Sequence, residues 1–184
     1  MRAAARVSSR TRRHLGQEAA HCTLAQWKGR LGGLDLGRRE VTNRKVQAYF
    51  RREHGDNPVL LQGSSDVDDL IEALRAGGPS ENLASLHHAE RPLMPAGVPD
   101  HELLVGVDAG SQVGVLAFMD DGNFVSLDPL KGSGEVSYSI MGNATEFPES
   151  SELPVALVRQ AVNEFLCSGG QRPKCVQWQE PEFW

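Results

Sequence analysis

With 184 residues, 40% of them apolar, and a formal net charge of −5, the chain has material for one large domain or one domain with extras, and holds no apolar run long enough to cross a bilayer. The charge is unevenly spread: residues 1–55 hold thirteen Lys/Arg against four Asp/Glu, whereas residues 56–184 hold six against twenty. Three cysteines, Cys22, Cys167 and Cys175, with no Cys-x-x-Cys pair exclude a disulfide framework or a structural zinc module and point to a reducing, cytoplasmic setting.

Residues 1–45 are arginine-rich, poor in apolar side chains and without a sustained period. Such a segment cannot bury enough surface to offset the entropy of ordering. It reads as a disordered or non-native extension; nonspecific phosphate contact and organelle targeting are the other two readings of its composition. Residues 46–184 read as the folded domain.

Its elements follow in order. Val46–Phe50 and Pro58–Leu61 are extended. Ser65–Leu74 is a helix with Ser65 as N-cap, acids in its first turn, and Val67, Leu70, Ile71 and Leu74 on one face; Gly77-Gly78-Pro79 ends it. Leu83–Ala89 is a strand, and the turn-rich Arg91–Asp100 follows. Leu103–Asp108, Val113–Met119 and Asn123–Leu127 are further strands, the last two joined as a hairpin through Asp120-Asp121-Gly122. Val136–Met141 alternates like a strand. Pro154 opens a second helix, with Val155, Val158, Ala161, Val162, Phe165 and Leu166 on its apolar face and Gly169-Gly170 as its stop. Lys174–Gln179 is the last strand. Hairpin-spaced strands flanked by two helices predict an α+β fold, an antiparallel sheet with both helices packed on it.

Few residues suggest catalysis. His88-Ala89-Glu90 matches the His-x-Glu of zinc nucleobase deaminases, but that chemistry also needs a Pro-Cys-x-x-Cys pair, and only Cys167 and Cys175 lie downstream. His87 and His88 point to opposite faces of a strand. No Gly-x-Ser-x-Gly elbow occurs, and the Gly106, Gly110, Gly114 and Lys131–Gly134 glycines precede strands rather than helices. No catalytic residue, metal site or cofactor is expected. Acids are the remaining constellation: Asp100 and Glu102 before one strand, Asp120, Asp121 and Asp128 around the hairpin, Glu146, Glu149 and Glu152 before the second helix, Glu180 and Glu182 at the end. They read either as a solvated face or as a surface that steers a basic partner.

Several segments together are similar to one family. They are Glu53-His54-Gly55 with Pro58-Val59-Leu60-Leu61, Asp66–Ile71, Arg91-Pro92-Leu93 with Gly97–Leu103, Val105–Asp108, Tyr138–Gly142, and Phe147-Pro148. The longest signature runs from Val158-Arg159-Gln160-Ala161-Val162 through Ser168-Gly169-Gly170-Gln171-Arg172-Pro173 to Trp178-Gln179. This pattern resembles the actinobacterial branch of the immunity proteins of bacterial polymorphic toxin systems. The resemblance covers residues 46–184. It implies a small α+β antitoxin that binds and neutralises a toxin encoded beside it, a nucleic-acid deaminase being the usual type, by occlusion and without catalysis. The implied partner is a toxin with a basic surface; neither a membrane nor nucleic acid is expected as partner. Asp100, Glu102, Asp120, Asp121, Glu146, Glu149, Trp178 and Trp184 are the candidate partner-binding residues, acids for charge and indoles as anchors. Trp178 suits a strand core equally well. The competing reading is a small metal-dependent hydrolase or deaminase-like enzyme using His88 and Glu90.

Overall fold

The computed structural model describes residues 45–182; the basic extension, Cys22 and Trp184 lie outside the described residues. The chain runs β1 (Val46–Tyr49), β2 (Val59–Leu61), α1 (Ser64–Ala76), β3 (Leu83–His88), β4 (Glu102–Val107), β5 (Val113–Met119), β6 (Asn123–Leu127), β7 (Glu135–Ile140), β8 (Asn143–Pro148), β9 (Leu153–Pro154), α2 (Val155–Ser168) and β10 (Gln177–Gln179). The main sheet has the order β10-β6-β5-β4-β3-β1-β2, with β9 added to β5, and every pairing is antiparallel. The predicted α+β architecture is the one observed.

Alternation along the strands sorts the two faces of the sheet. Val46, Ala48, Leu86, Leu103, Val105, Leu116 and Phe118 form one core with the apolar stripes of α1 (Val67, Leu70, Ile71, Leu74) and α2 (Val158, Ala161, Val162, Phe165). Both helices thus share one face. The other face is covered only in part. There the β7–β8 hairpin lays Tyr138 and Phe147 on Leu83, Val115, Ala117 and Val125. Gly106 makes this docking possible: a Cβ at that position would meet Tyr138 Cδ1 and Val115 Cγ2, each at 2.7 Å. Asn82 fastens the hairpin from the side, its Oδ1 accepting the Ser139 N–H at 2.8 Å.

Three local expectations are corrected. Ser65 is not the N-cap of α1. The helix begins at Ser64 after Gly63, and the Asp66 carboxylate reaches back to the N–H groups of Gln62 (2.7 Å) and Gly63 (3.1 Å). A carboxylate in the first turn thereby replaces the hydroxyl cap. Strand β8 goes beyond the sequence expectation: Asn143, Ala144 and Glu146 are weak strand formers that dilute Thr145 and Phe147, and the turn before it is Met141-Gly142 rather than Asn-Gly. Both turn residues nevertheless have positive φ (53° and 81°), which matches the twist of a two-residue hairpin. The last strand is shorter than predicted. The Glu164 carboxylate of α2 takes the backbone N–H groups of Lys174 (2.9 Å) and Cys175 (3.0 Å), which holds that segment to the helix instead of the sheet.

Candidate functional site

The sheet register divides the candidate acids between two ends. Glu102 at the start of β4 pairs with Met119 at the end of β5, and Met119 pairs with Asn123 across the Asp120-Asp121-Gly122 turn. Asp100, Glu102, Asp120 and Asp121 therefore gather at one end. At the opposite end Val107 pairs with Gly114, and the hairpin end brings Glu146 and Glu149. Strand β10 runs antiparallel to β6, with Gln179 opposite Val125, so the chain leaves it toward the Asn123 end, taking the exposed Glu180 and Glu182 there.

The first end is dominated by the loop between β3 and β4. Its base is closed by groups from three places in the chain, two of them side chains and one a backbone carbonyl. Arg91 holds Asp100 with two parallel bonds, Nε to Oδ1 at 3.0 Å and Nη2 to Oδ2 at 2.9 Å, and donates from Nη1 to the Gly170 carbonyl at 2.8 Å. His101 donates from Nδ1 to Asp100 Oδ1 at 2.8 Å and accepts the backbone N–H of His88 at Nε2, also at 2.8 Å. Its ring is buried against Phe165. Gly170, just past α2 with φ at 79°, completes the base: a Cβ there would stand 2.7 Å from His88 Cβ and 3.0 Å from Arg91 Cδ.

Charge settles accordingly. The Arg91 guanidinium, helped by His101, holds the Asp100 carboxyl below the usual carboxylate range. Burial lowers the pKa of both His88 and His101. Asp100 is spoken for inside the molecule, so it shapes the loop before it can meet anything outside.

Beyond this base the loop closes on itself. Leu93 and Pro99 form a bridge, Met94 N–H donates to the Val98 carbonyl at 2.8 Å, and Gly97 N–H donates to the Met94 carbonyl at 2.8 Å. Its tip exposes Leu93 (62%), Met94 (46%) and Val98 (46%). In the sequence this stretch reads as a turn and as part of the segments that carry the family resemblance, without its apolar tip standing out. The available signal was Pro92, Pro95 and Pro99 interleaved with large apolar residues: prolines bar regular pairing, so those side chains have no sheet or helix to bury them.

On the uncovered half of the sheet beside the loop sits a polar cluster, Ser85, His87 and Glu102. The Ser85 hydroxyl bonds Glu102 Oε1 and lies 3.0 Å from His87 Nε2, while His87 Nδ1 donates to the His101 carbonyl at 2.8 Å. In a hydrolytic triad the imidazole stands between hydroxyl and carboxylate. Here the hydroxyl stands between the other two, and a carbonyl orients the imidazole. Ser85 is a bridge, and Glu102 is half-buried by it.

The remaining candidates lie as follows. Asp120 and Asp121 are exposed in their turn, and Glu146 is exposed on β8. Glu149 accepts the Gly134 N–H at 3.0 Å, and Glu152 accepts the Tyr138 hydroxyl at 3.0 Å. Trp178 packs edge-on to Phe118 at 6.3 Å and donates Nε1–H to the Pro173 carbonyl at 2.8 Å, so half of its indole belongs to the fold. Regarding the enzyme reading, His88 is buried with Nδ1 3.4 Å from the Glu90 N–H. Cys175 lies beside Glu164, and burial pushes its thiol up to about 12. Among the described residues no three His, Cys, Asp or Glu side chains converge on one point. No helix of the described residues is long and apolar enough to cross a membrane.

Comparison with known proteins adds three findings. The sequence model of the family described as Immunity protein Imm1 matches residues 55–180. No curated protein matches the chain. A crystal structure of a hypothetical protein from Neisseria gonorrhoeae is similar at 9% identity, over 70% of this chain and 88% of that one, with a TM-score of 0.35, too loose a likeness to support an argument.

Proposed function

We propose, from the premise that this chain belongs to the Imm1 immunity protein family, that it neutralises one toxin of a bacterial polymorphic toxin system by binding to it and covering its working surface. The family match over residues 55–180 is the observation on which this rests. Inhibition by occlusion needs a surface and no chemistry, and the polar groups described above serve the fold: Ser85 bridges, Asp100 clamps, Glu149 and Glu152 tie down the hairpin.

The cognate toxin in this reading acts on nucleic acid, a deaminase being the type the sequence resemblance implies. Enzymes that handle nucleic acid present Lys and Arg to phosphates. Residues 56–184, with twenty Asp/Glu against six Lys/Arg, offer such a cleft a competing set of negative charges. Asp120 and Asp121 are the most available acids of the candidate set, with Glu102, Glu146 and Glu149 behind them; Trp184 remains a candidate anchor outside the described residues. The complex forms in the producing cell's cytoplasm, where the toxin would otherwise strike.

The test is co-expression with the toxin encoded in the adjacent reading frame. Growth is rescued and the two chains co-purify in equal amounts. Persistent killing with both proteins made, or purification of each alone, discards the reading.

A further inference from the structure

We propose that the β3–β4 loop is the docking knob of this molecule, seating Leu93, Met94 and Val98 in an apolar-floored, basic-rimmed cleft of the toxin. The inference rests on the immunity reading above and assigns it a contact face.

Three of the large apolar side chains exposed on the described residues occur together at this one tip. Scattered surface leucines need no explanation, but a group of them on one projecting loop marks a contact. The loop is also built in advance of any partner. Its tip is bridged from Leu93 to Pro99, and its base is locked by Arg91, Asp100, His101 and the Gly170 carbonyl. A preordered loop loses little entropy on binding, so its apolar contacts count almost fully toward affinity.

Charge selects the occupant. The Asp120-Asp121 turn and the Glu180–Glu182 segment come to the same end of the sheet, and Glu90 is exposed in the loop itself. Against them stand Arg91, paired with Asp100, and two further cations, Arg172 with its guanidinium over the Phe124 ring at 3.9 Å and Lys45, whose carbonyl accepts the Ala89 N–H, so the acids outnumber the bases. An apolar centre within an acidic border fits a partner with the reverse pattern. A second copy of the chain docking through the same face would bring two acidic borders together, and an anionic lipid surface would be repelled by the same acids.

The experiment measures binding of the full chain to the toxin from the adjacent reading frame, made catalytically inactive, for the parent and for a triple variant carrying Leu93→Ala, Met94→Ala and Val98→Ala. All three side chains are exposed, so the thermal midpoint of the variant matches the parent's. Affinity falls roughly 100-fold, chiefly through faster dissociation. Leu130→Ala, exposed on a different loop, binds like the parent. The single change Leu93→Lys gives a second route should the triple variant lose stability; it weakens binding by about tenfold through misplaced charge. If the parent itself fails to bind, the immunity reading falls and this inference with it. If the parent binds and the Leu93 variants bind as tightly, the knob is wrong while the immunity reading stands. If the parent alone sediments as a dimer that the triple variant does not form, the occupant is a second copy and the proposal is overturned. Binding to anionic vesicles abolished by Leu93→Lys or the triple variant, without loss of toxin binding, overturns it in favour of a lipid surface.

Discussion

The ring of His101 can serve both its partners in only one protonation state. The backbone N–H of His88 only donates, so Nε2 must keep its lone pair, while Nδ1 carries the proton that goes to Asp100. The folded state therefore holds a neutral imidazole, and burial lowers its pKa further, as it does for His88. A histidine with a folded pKa below its unfolded value of 6.5 contributes stability that is present above that pH and is lost as pH falls toward the folded value. Arg91 beside the ring works in the same direction, and Asp100 opposes it without reversing it. The Tm should accordingly fall between about pH 7.5 and pH 5.5, well above the range where Asp100 takes up a proton. In His101→Gln a side-chain oxygen accepts from His88 without titrating, so the decline becomes shallower, with the remainder due to His88. A thermal-melt series showing the same slope in parent and variant contradicts the neutral assignment. None of this was visible in the sequence, where His88 attracted notice through Glu90 and Asp100 through its charge. The decisive partner of each lies thirteen or nine residues away, and Gly170 closes the site from the far end of the chain.

Among the elements, those with a period long enough to repeat were legible. Both helices and strands β3 to β7 follow from apolar spacing, and Gly169-Gly170 marked the end of α2 as observed. Of the shorter pieces, β1 and β2 were legible as extended segments and β10 as the end of a longer strand, whereas β8 and β9 were not. Strand β8 pairs with β7 alone; Asn143, Ala144 and Glu146 dilute the extended preference of Thr145 and Phe147, and Met141-Gly142 hides a tight turn behind a methionine. The β3–β4 loop shows the converse. Its prolines announced irregular backbone, but the outward position of Leu93 and Val98 and the ion pair at the loop's base depend on partners distant in the chain. The hairpin's seat on the sheet gives a test of the packing. Gly106→Val forces its side chain into the ring of Tyr138, so it destabilises the fold by about 1–3 kcal/mol, read as a lower denaturant midpoint. An unchanged midpoint would mean that the hairpin is free to ride outward and does not form part of the second core.

For the whole molecule, the two faces of the sheet have different work. One is closed by α1 and α2 and supplies stability; the other is covered by the β7–β8 hairpin only near the Val107 end, leaving the Glu102 end to the projecting loop and its acids. The acids, read from sequence as a solvated face or a steering surface, lie at two ends of the sheet, and two at the hairpin end, Glu149 and Glu152, are used internally. Composition could reveal the negative excess of residues 56–184 but not its division, because that follows from strand register and not from position in the chain. The C-terminal signature behaves likewise: Trp178 packs one part of its indole against the core and leaves the rest at the surface. The central claim is that this chain inhibits by covering its partner. The most direct measurement is titration of the purified toxin's activity with the purified chain. Activity should decline linearly and vanish at one equivalent, with the chain recovered unaltered. Activity that persists at several equivalents, or that is lost with far less than one equivalent while the toxin is chemically changed, contradicts it.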